Sequence, residues 1–403
     1  MIKMAFRNIF RNPKRTFLTA FVVLIGIMGI IMGLSFITGV ENLFVKEGIN
    51  LTGEIRITSK DFEIKERKMD LTANIDYKKI KEKTKKYSEI KKGIGRIKFG
   101  AVIYSEDEYE KALGFGIEED DYKYSGLQKS IYEGEFFNYK KVDEILIGNK
   151  IKEKLNLKLG DEVTILTSTQ HKSISALNYK IIGFYKMENS RLNRSFYIKL
   201  NEAQYLLDME NKITEYLIFC NKTKNINEIG AKIKKEFKKG YLVKLWSEIG
   251  FNGYLSRVFP VIKRIFMIIL GFLSGVGIGN TMMMIVFERR KEIGVLKASG
   301  MMNFNITKLF CLEGVIIGLM GSISGAFLGG VWSLYLSKKG LIVGDVLENI
   351  SNEINIPSII YPDYDISRII IIVMLGLLVS FLATLLSVVP EVKKNPVINM
   401  RNE

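Results

Sequence analysis

The chain has 403 residues, with 59 Lys and Arg against 43 Asp and Glu for a net charge of +16, and its mean hydropathy is only +0.12. A single histidine, His171, excludes a histidine-rich metal site, and two cysteines, Cys220 and Cys311, exclude a disulfide framework. The basic excess suits a surface near anionic lipid, but no basic stripe is interleaved with aromatics, so no nucleic-acid partner is expected.

The modest mean hydropathy hides apolar and polar blocks. Residues 2–11 place Ile2, Phe6, Ile9 and Phe10 on one helical face and Lys3, Arg7 and Arg11 on the other, and Pro13 ends the pattern. An amphipathic helix over 1–16, lying on the inner leaflet, is expected. Residues 17–40 form the first of four apolar runs; 265–287, 309–336 and 369–389 are the others. Each can cross a bilayer, since about 20 residues at about 1.5 Å rise span about 30 Å of hydrocarbon. The first run exceeds a signal-peptide core and ends without a small-x-small cleavage site, so it reads as a retained helix. Gly29 and Gly33 within it form a small-x-x-x-small pair that invites helix packing.

Residues 41–257 are polar and read as a separate α+β domain. Strands are expected at 54–58 and 94–104, with a Lys-rich helix at 77–87 between them. The far end repeats the order: a strand at 215–220, a helix at 226–237 with Ile226, Ile229, Ile233 and Phe237 on one face, and a strand at 241–246. The segments 50–105 and 198–250 would then form one lobe, with 105–198 as a second lobe inserted into it. The acidic run 118–121 lacks the glycine and closing glutamate of a calcium loop and reads as a solvated turn. No Gly-x-x-x-x-Gly-Lys-Ser/Thr phosphate loop occurs, so ATP binding of that kind is not expected in this chain.

In the second run Gly275, Gly277 and Gly279 mimic a dinucleotide fingerprint only superficially, since they lie inside a span. The third run carries Gly314–Gly318, Gly321–Gly325 and Gly325–Gly329, which can pack on helices of the same chain or of a second one. Glu313 is the only ionisable residue in the four runs, and a place in the first turn of its helix would let the helix dipole stabilise it. Arg7, Lys14, Arg289, Arg290, Lys291, Lys297, Lys393 and Lys394 make the start, the 288–308 loop and the 390–403 tail basic, whereas 337–368 has five acids against three basic residues. Basic short loops stay inside. The expected topology therefore has both termini and 288–308 in the cytoplasm, with 41–257 and 337–368 outside.

Residues 287–300 read FERRKEIGVLKASG. Glu288, Arg289, Arg290, Lys291 and Glu292 can form charge pairs with a docked partner, with Lys297 adding to the basic face. Ile293, Val295 and Leu296 offer an apolar ridge, and Gly294 and Gly300 permit close approach and a turn. Charge alone would also fit a plain basic loop. The stretch resembles the permeases of FtsX-like ABC transporters, whose phrase is Glu-Arg-Arg-x-Glu-Ile-Gly-hydrophobic-Leu-Arg/Lys-Ala-x-Gly. The resemblance extends to 6–20, to TGEIRI at 52–57, to EILIGNKIKEKLNLKLGDEVTIL at 144–166, and to Pro390, Pro396 and Val397. Met301, Met302 and Asn303 depart from the small, hydroxyl and basic residues common in the family after Gly300.

The resemblance implies a permease subunit in a bacterial cytoplasmic (inner) membrane, without cofactors of its own. Two copies of a separate ATPase would bind ATP and Mg, and 288–300 would be the coupling helix that receives their motion. It further implies a homo- or heterodimeric permease, amphiphilic substrates such as lipoproteins taken from the outer leaflet, and an extracytoplasmic adaptor or acceptor protein. Macrolide or peptide efflux, or transmembrane signalling to cell-wall hydrolases, are the alternatives within the family.

Overall fold

The computed structural model describes residues 4, 7, 13–66, 70–106, 108–187, 192–221, 226–237, 240–342 and 359–393. Of the amphipathic helix expected over 1–16 only residues 4, 7 and 13–16 are described, and the Pro396–Val397 pair lies outside the described residues. Two compact units emerge: 13–43, 257–342 and 359–393 form one, and 44–256 the other.

The described stretch that starts at residue 13 opens with α1, Pro13–Thr52. Proline suits a first helical turn, where its missing N–H costs nothing. The helix runs well past the apolar stretch, because polarity marks where a helix leaves hydrocarbon and not where its hydrogen bonds stop. It stops at Gly53, whose φ of +66° places it in the left-handed region and whose N–H donates to Ile49 O at 2.8 Å.

The second unit then follows: β1 (Ile55–Ser59), α2 (Tyr77–Thr84), β2 (Ile90–Ser105), β3 (Glu108–Ile117), β4 (Ile131–Gly134), β5 (Glu144–Gly148), α3 (Asn149–Lys154), β6 (Glu162–Ser168), β7 (Ile174–Tyr185), β8 (Ser195–Lys199), α4 (Leu200–Leu206), β9 (Glu215–Cys220), α5 (Ile226–Glu236) and β10 (Tyr241–Leu245). The strands make one ten-stranded sheet in the order β10-β1-β9-β2-β3-β8-β5-β7-β4, with β6 pairing both β2 and β7. The pairs β2·β3, β3·β8, β8·β5, β5·β7, β7·β6 and β6·β2 thus close a ring. The segments expected as two lobes, 50–105 with 198–250 and the inserted 105–198, share a strand. Strand β2 pairs with β9 through Ile90–Arg96 and with β6 through Ala101–Tyr104, so one strand belongs to both halves.

Asp76 caps α2 by accepting from Lys79 N at 2.9 Å, and Ile80 and Thr84 on that helix are buried. Ile226, Ile229 and Ile233 bury the matching face of α5. Alternation in β6 buries Val163 and Ile165, which join Ile145, Ile147 and Ile151 in the main core.

Two charged clusters are also buried. Arg96 on β2 donates from Nε and Nη2 to Asp121 at 2.9 and 2.6 Å, and from Nη1 to Leu51 O at 2.7 Å. Leu51 O is one of the carbonyls that the end of α1 leaves without an intrahelical partner. Lys199 lies 3.0 Å from Glu144 and 3.5 Å from Glu202 and donates to Lys141 O at 2.6 Å. Burial raises the Glu202 pKa, an effect that Lys199 partly offsets.

The first unit is completed by α6 (Gly250–Glu288), α7 (Arg290–Ala298), α8 (Asn303–Lys339) and α9 (Ile366–Lys393). With α1, the helices α6, α8 and α9 are long and apolar enough to cross a membrane. Pro390, expected beyond the last span, lies inside α9. The glycines of α8 serve two neighbours. A Cβ on Gly314 or Gly318 would run into Thr384 or Ser380 of α9. One on Gly321 or Gly325 would fall 2.6 Å from Ala20 O or Leu24 O of α1, and one on Gly329 3.3 Å from Ile31 and Met28. Gly33 faces the Phe266 ring, and Gly29 lies near Leu270.

Candidate functional site

The segment between α6 and α8 is built from the inside out. The chain leaves α6 at Glu288, turns at Arg289 and forms the nine-residue α7. This helix ends in a Schellman motif: Gly300 N donates to Lys297 O and Met301 N to Leu296 O, both at 3.0 Å, with Gly300 at φ +86°. Only glycine adopts that conformation without a Cβ penalty.

One face of α7 is apolar and turned inward. Ile293 is 1 % exposed and packs with Val286, Ile306, Phe310, Val388 and Val392, while Leu296 and Met301 border the same cluster. Gly294 is buried beside it. Lys291, Glu292, Val295 and Ala298 are exposed, at spacings that place them on the opposite face. Val295 is 58 % exposed, and Met302 and Phe304, just before and at the start of α8, are each 73 % exposed. Glu288 is exposed at the end of α6, and Lys297 is half-buried.

Ion pairs tie the segment down. Arg289 Nη1 donates to both Glu313 oxygens at 3.1 and 3.0 Å, its Nε reaches Glu292 at 2.9 Å, and its guanidinium lies 5.5 Å from the Phe310 ring centre. Arg290 Nη2 meets Glu391 Oε2 at 2.9 Å, and its guanidinium stands 4.1 Å from the Phe287 ring centre. Thus α7 is anchored to α8 through Glu313 and to α9 through Glu391.

Three expectations change. Arg289 and Arg290 spend their charge within the chain instead of presenting it outward. Ile293 belongs to the buried floor and cannot form an outward ridge with Val295, because residues two apart on a helix face different ways. Glu313 lies well beyond the first turn of α8, which starts at Asn303, and is held by Arg289 instead of a helix dipole. Glu391 and Phe304 escaped the sequence reading, and Met302 was read only as a departure from the family's pattern after Gly300. A lone acid just past the last apolar run, opposite a loop rich in arginine, was the available signal for Glu391. Elsewhere, His171 lies exposed 3.5 Å from Asp208, and burial pushes the Cys220 thiol up to about 11.

Residues 264–396 match the FtsX-like permease C-terminal family, and 16–236 match the MacB-like periplasmic core domain. An uncharacterised ABC transporter permease of Methanocaldococcus jannaschii is 25 % identical over 350 residues, 82 % of each chain. The lipoprotein-releasing system transmembrane protein LolC of Xylella fastidiosa is 22 % identical over 259 residues, 60 % of each chain. The periplasmic region of MacB from Actinobacillus actinomycetemcomitans aligns with 49 % of this chain and 92 % of its own, at 13 % identity and a TM-score of 0.37. An ABC permease implies an ATPase partner. With four helices able to span a membrane and a MacB-like core domain matched over more than half its length, the chain belongs to the FtsX-like ABC transporter permeases of the MacB and LolC type, a membrane protein whose extracytoplasmic α+β domain is inserted between its first and second membrane helices.

Proposed function

We propose that this permease receives the motion of a separate ATPase at α7 and passes it through its helices to the inserted domain, which works on amphiphilic substrates, lipoproteins among them. The observation that carries the reading is the two-sidedness of α7. One face is plugged by Ile293 and pinned by Arg289–Glu313 and Arg290–Glu391, while the other leaves Val295, Lys291 and Glu292 exposed. A lever needs both, a grip for the partner and a stiff attachment behind it. Met302 and Phe304 extend the apolar grip, in the manner of the few anchors that dominate an interface. ATP and Mg belong to the partner, two copies of which serve a permease dimer. In this reading 288–302 and both termini face the cytoplasm of a bacterial cell, as the basic loops require. The LolC relatives support lipoprotein as the cargo class.

The test separates grip from attachment. Val295→Asp should abolish co-purification of the ATPase. Arg290→Met should leave the ATPase bound but uncouple its turnover from substrate. If a membrane-impermeant thiol reagent labels Val295→Cys from outside intact cells, or if Val295→Asp leaves the complex intact, the reading fails.

A further inference from the structure

Helices α1, α6 and α9 leave a slot of about 620 Å³ between them, a volume that suits one medium-sized ligand. Its lining is apolar, with Ile27, Phe272, Val379 and Leu386 among the side chains. Its depth comes from missing ones. Gly271, Gly275 and Gly279 line it at four-residue steps along α6, and a Cβ on Gly271 would meet nothing within 4 Å. From Arg264 to Gly279 the lining runs about 22 Å along the helix, more than half the hydrocarbon thickness.

The end of the slot nearest the inserted domain in sequence is charged. Arg264 lines it, is exposed, and has no hydrogen bond or ion pair among the described residues. Its neighbour Lys263 is already paired with Glu41. A guanidinium offers a planar fork that matches a phosphate. The slot thus presents a phosphate-matching cation at one end and hydrocarbon-matching walls beyond it.

We infer that this slot binds one anionic phospholipid of the bilayer, with its phosphate on Arg264 and an acyl chain lying between α6 and α9. A helix of a second copy fits less well. It would have to bring an acid to Arg264, and the described acids that flank the spans at that end, Glu41, Asp363 and Asp365, are paired with Lys263 and Arg368 of their own chain. Because lipid tails are as apolar as the slot, the acyl chain gains no hydrophobic free energy on entering, and headgroup preference rests on Arg264. The inference does not depend on coupling at α7, since occupancy requires no ATPase motion.

The full-length chain, in the complex in which it purifies, is placed in nanodiscs with equal phosphatidylglycerol and phosphatidylcholine, and retained lipid is read by native mass spectrometry. The wild type should retain phosphatidylglycerol preferentially. Arg264→Leu should lower that preference about fivefold, the worth of one basic side chain near anionic lipid, while Arg264→Lys keeps most of it. Gly271→Phe, built outward from an open position, should reduce retention of both lipids. Unchanged retention and preference in both Arg264→Leu and Gly271→Phe would overturn the inference. So would efficient disulfide cross-linking between copies carrying Phe272→Cys and Leu375→Cys, since a second chain would then fill the slot.

Discussion

The inserted domain and the membrane helices hold together by opposite means. In the domain, Ile80, Ile97, Phe99, Ile147, Phe196 and Ile233 are each fully buried in one cluster. Burying such a side chain from water stabilises by about 1.5–3 kcal/mol. Among the helices the close contacts are made by absent side chains: Gly318 against Ser380, Gly321 against Ala20 and Val23, Gly325 against Leu24. Lipid offers no hydrophobic drive for helices to associate, so close backbone approach and van der Waals packing take its place. The ion pairs differ in the same sense. The side chains of Arg96 and Asp121 are 3 % and 0 % exposed, whereas Arg290, paired with Glu391, is 26 % exposed. The domain is thus most sensitive to losing groups and the bundle to gaining them. A charge sealed in the domain is cut off from water, and one at the edge of the bundle is partly open to it.

The sharpest break of this contrast is Arg96→Met. It leaves Asp121 buried without its cation and removes the donor to Leu51 O, and it should cost about 3–5 kcal/mol, read as loss of hydrogen-exchange protection in β2. The double variant Arg96→Met with Asp121→Leu should recover most of that loss; equal damage in both would show that the uncompensated charge is not the cause. Gly318→Leu comes next. It forces α8 from α9 and should destabilise the bundle by about 1–3 kcal/mol, measured as a lower melting temperature in detergent. Gly271→Ala, in open space, should leave that temperature unchanged, and an equal fall in both would mean that close approach at Gly318 does not hold the bundle. A double-mutant cycle on Arg290→Met and Glu391→Leu should give a smaller coupling, near the low end of about 0.5–3 kcal/mol, because the pair is partly exposed.

The smallest expected effect is a slope with pH. Burial raises the Glu202 pKa above its ordinary value of 4.5. The folded domain therefore holds this proton more tightly than the unfolded chain does. Its contribution to stability is full below the ordinary value and is lost as pH rises through the raised one. Glu202→Gln should remove that decline, so urea unfolding at about pH 4 and about pH 7 should differ less than in the wild type. Identical pH slopes would show that Glu202 does not titrate in this way.

Much of the local architecture was legible. The helix over 226–237 was visible because Ile226, Ile229 and Ile233 repeat at the helical period, and 215–220 because its residues favour a strand buried on both faces. The family was readable from the phrase at 288–300, but the directions of its side chains were not. Taken alone, an Arg-rich stretch looks like a surface.

The sequence by itself determined the four apolar runs, the polar insertion between the first two, the small-residue positions and the segment that makes the turn after the second run. Composition and short-range period suffice for these, because hydrocarbon and water sort residues one at a time. Only the tertiary structure decided that β2 serves two halves of one sheet, that Arg96 holds the end of α1, and that Arg289, Arg290 and Ile293 face inward to Glu313, Glu391 and Phe310. Each of those partnerships joins residues far apart along the chain, where no local periodicity carries information. An ion pair or a shared strand is selected by the geometry that brings its members together.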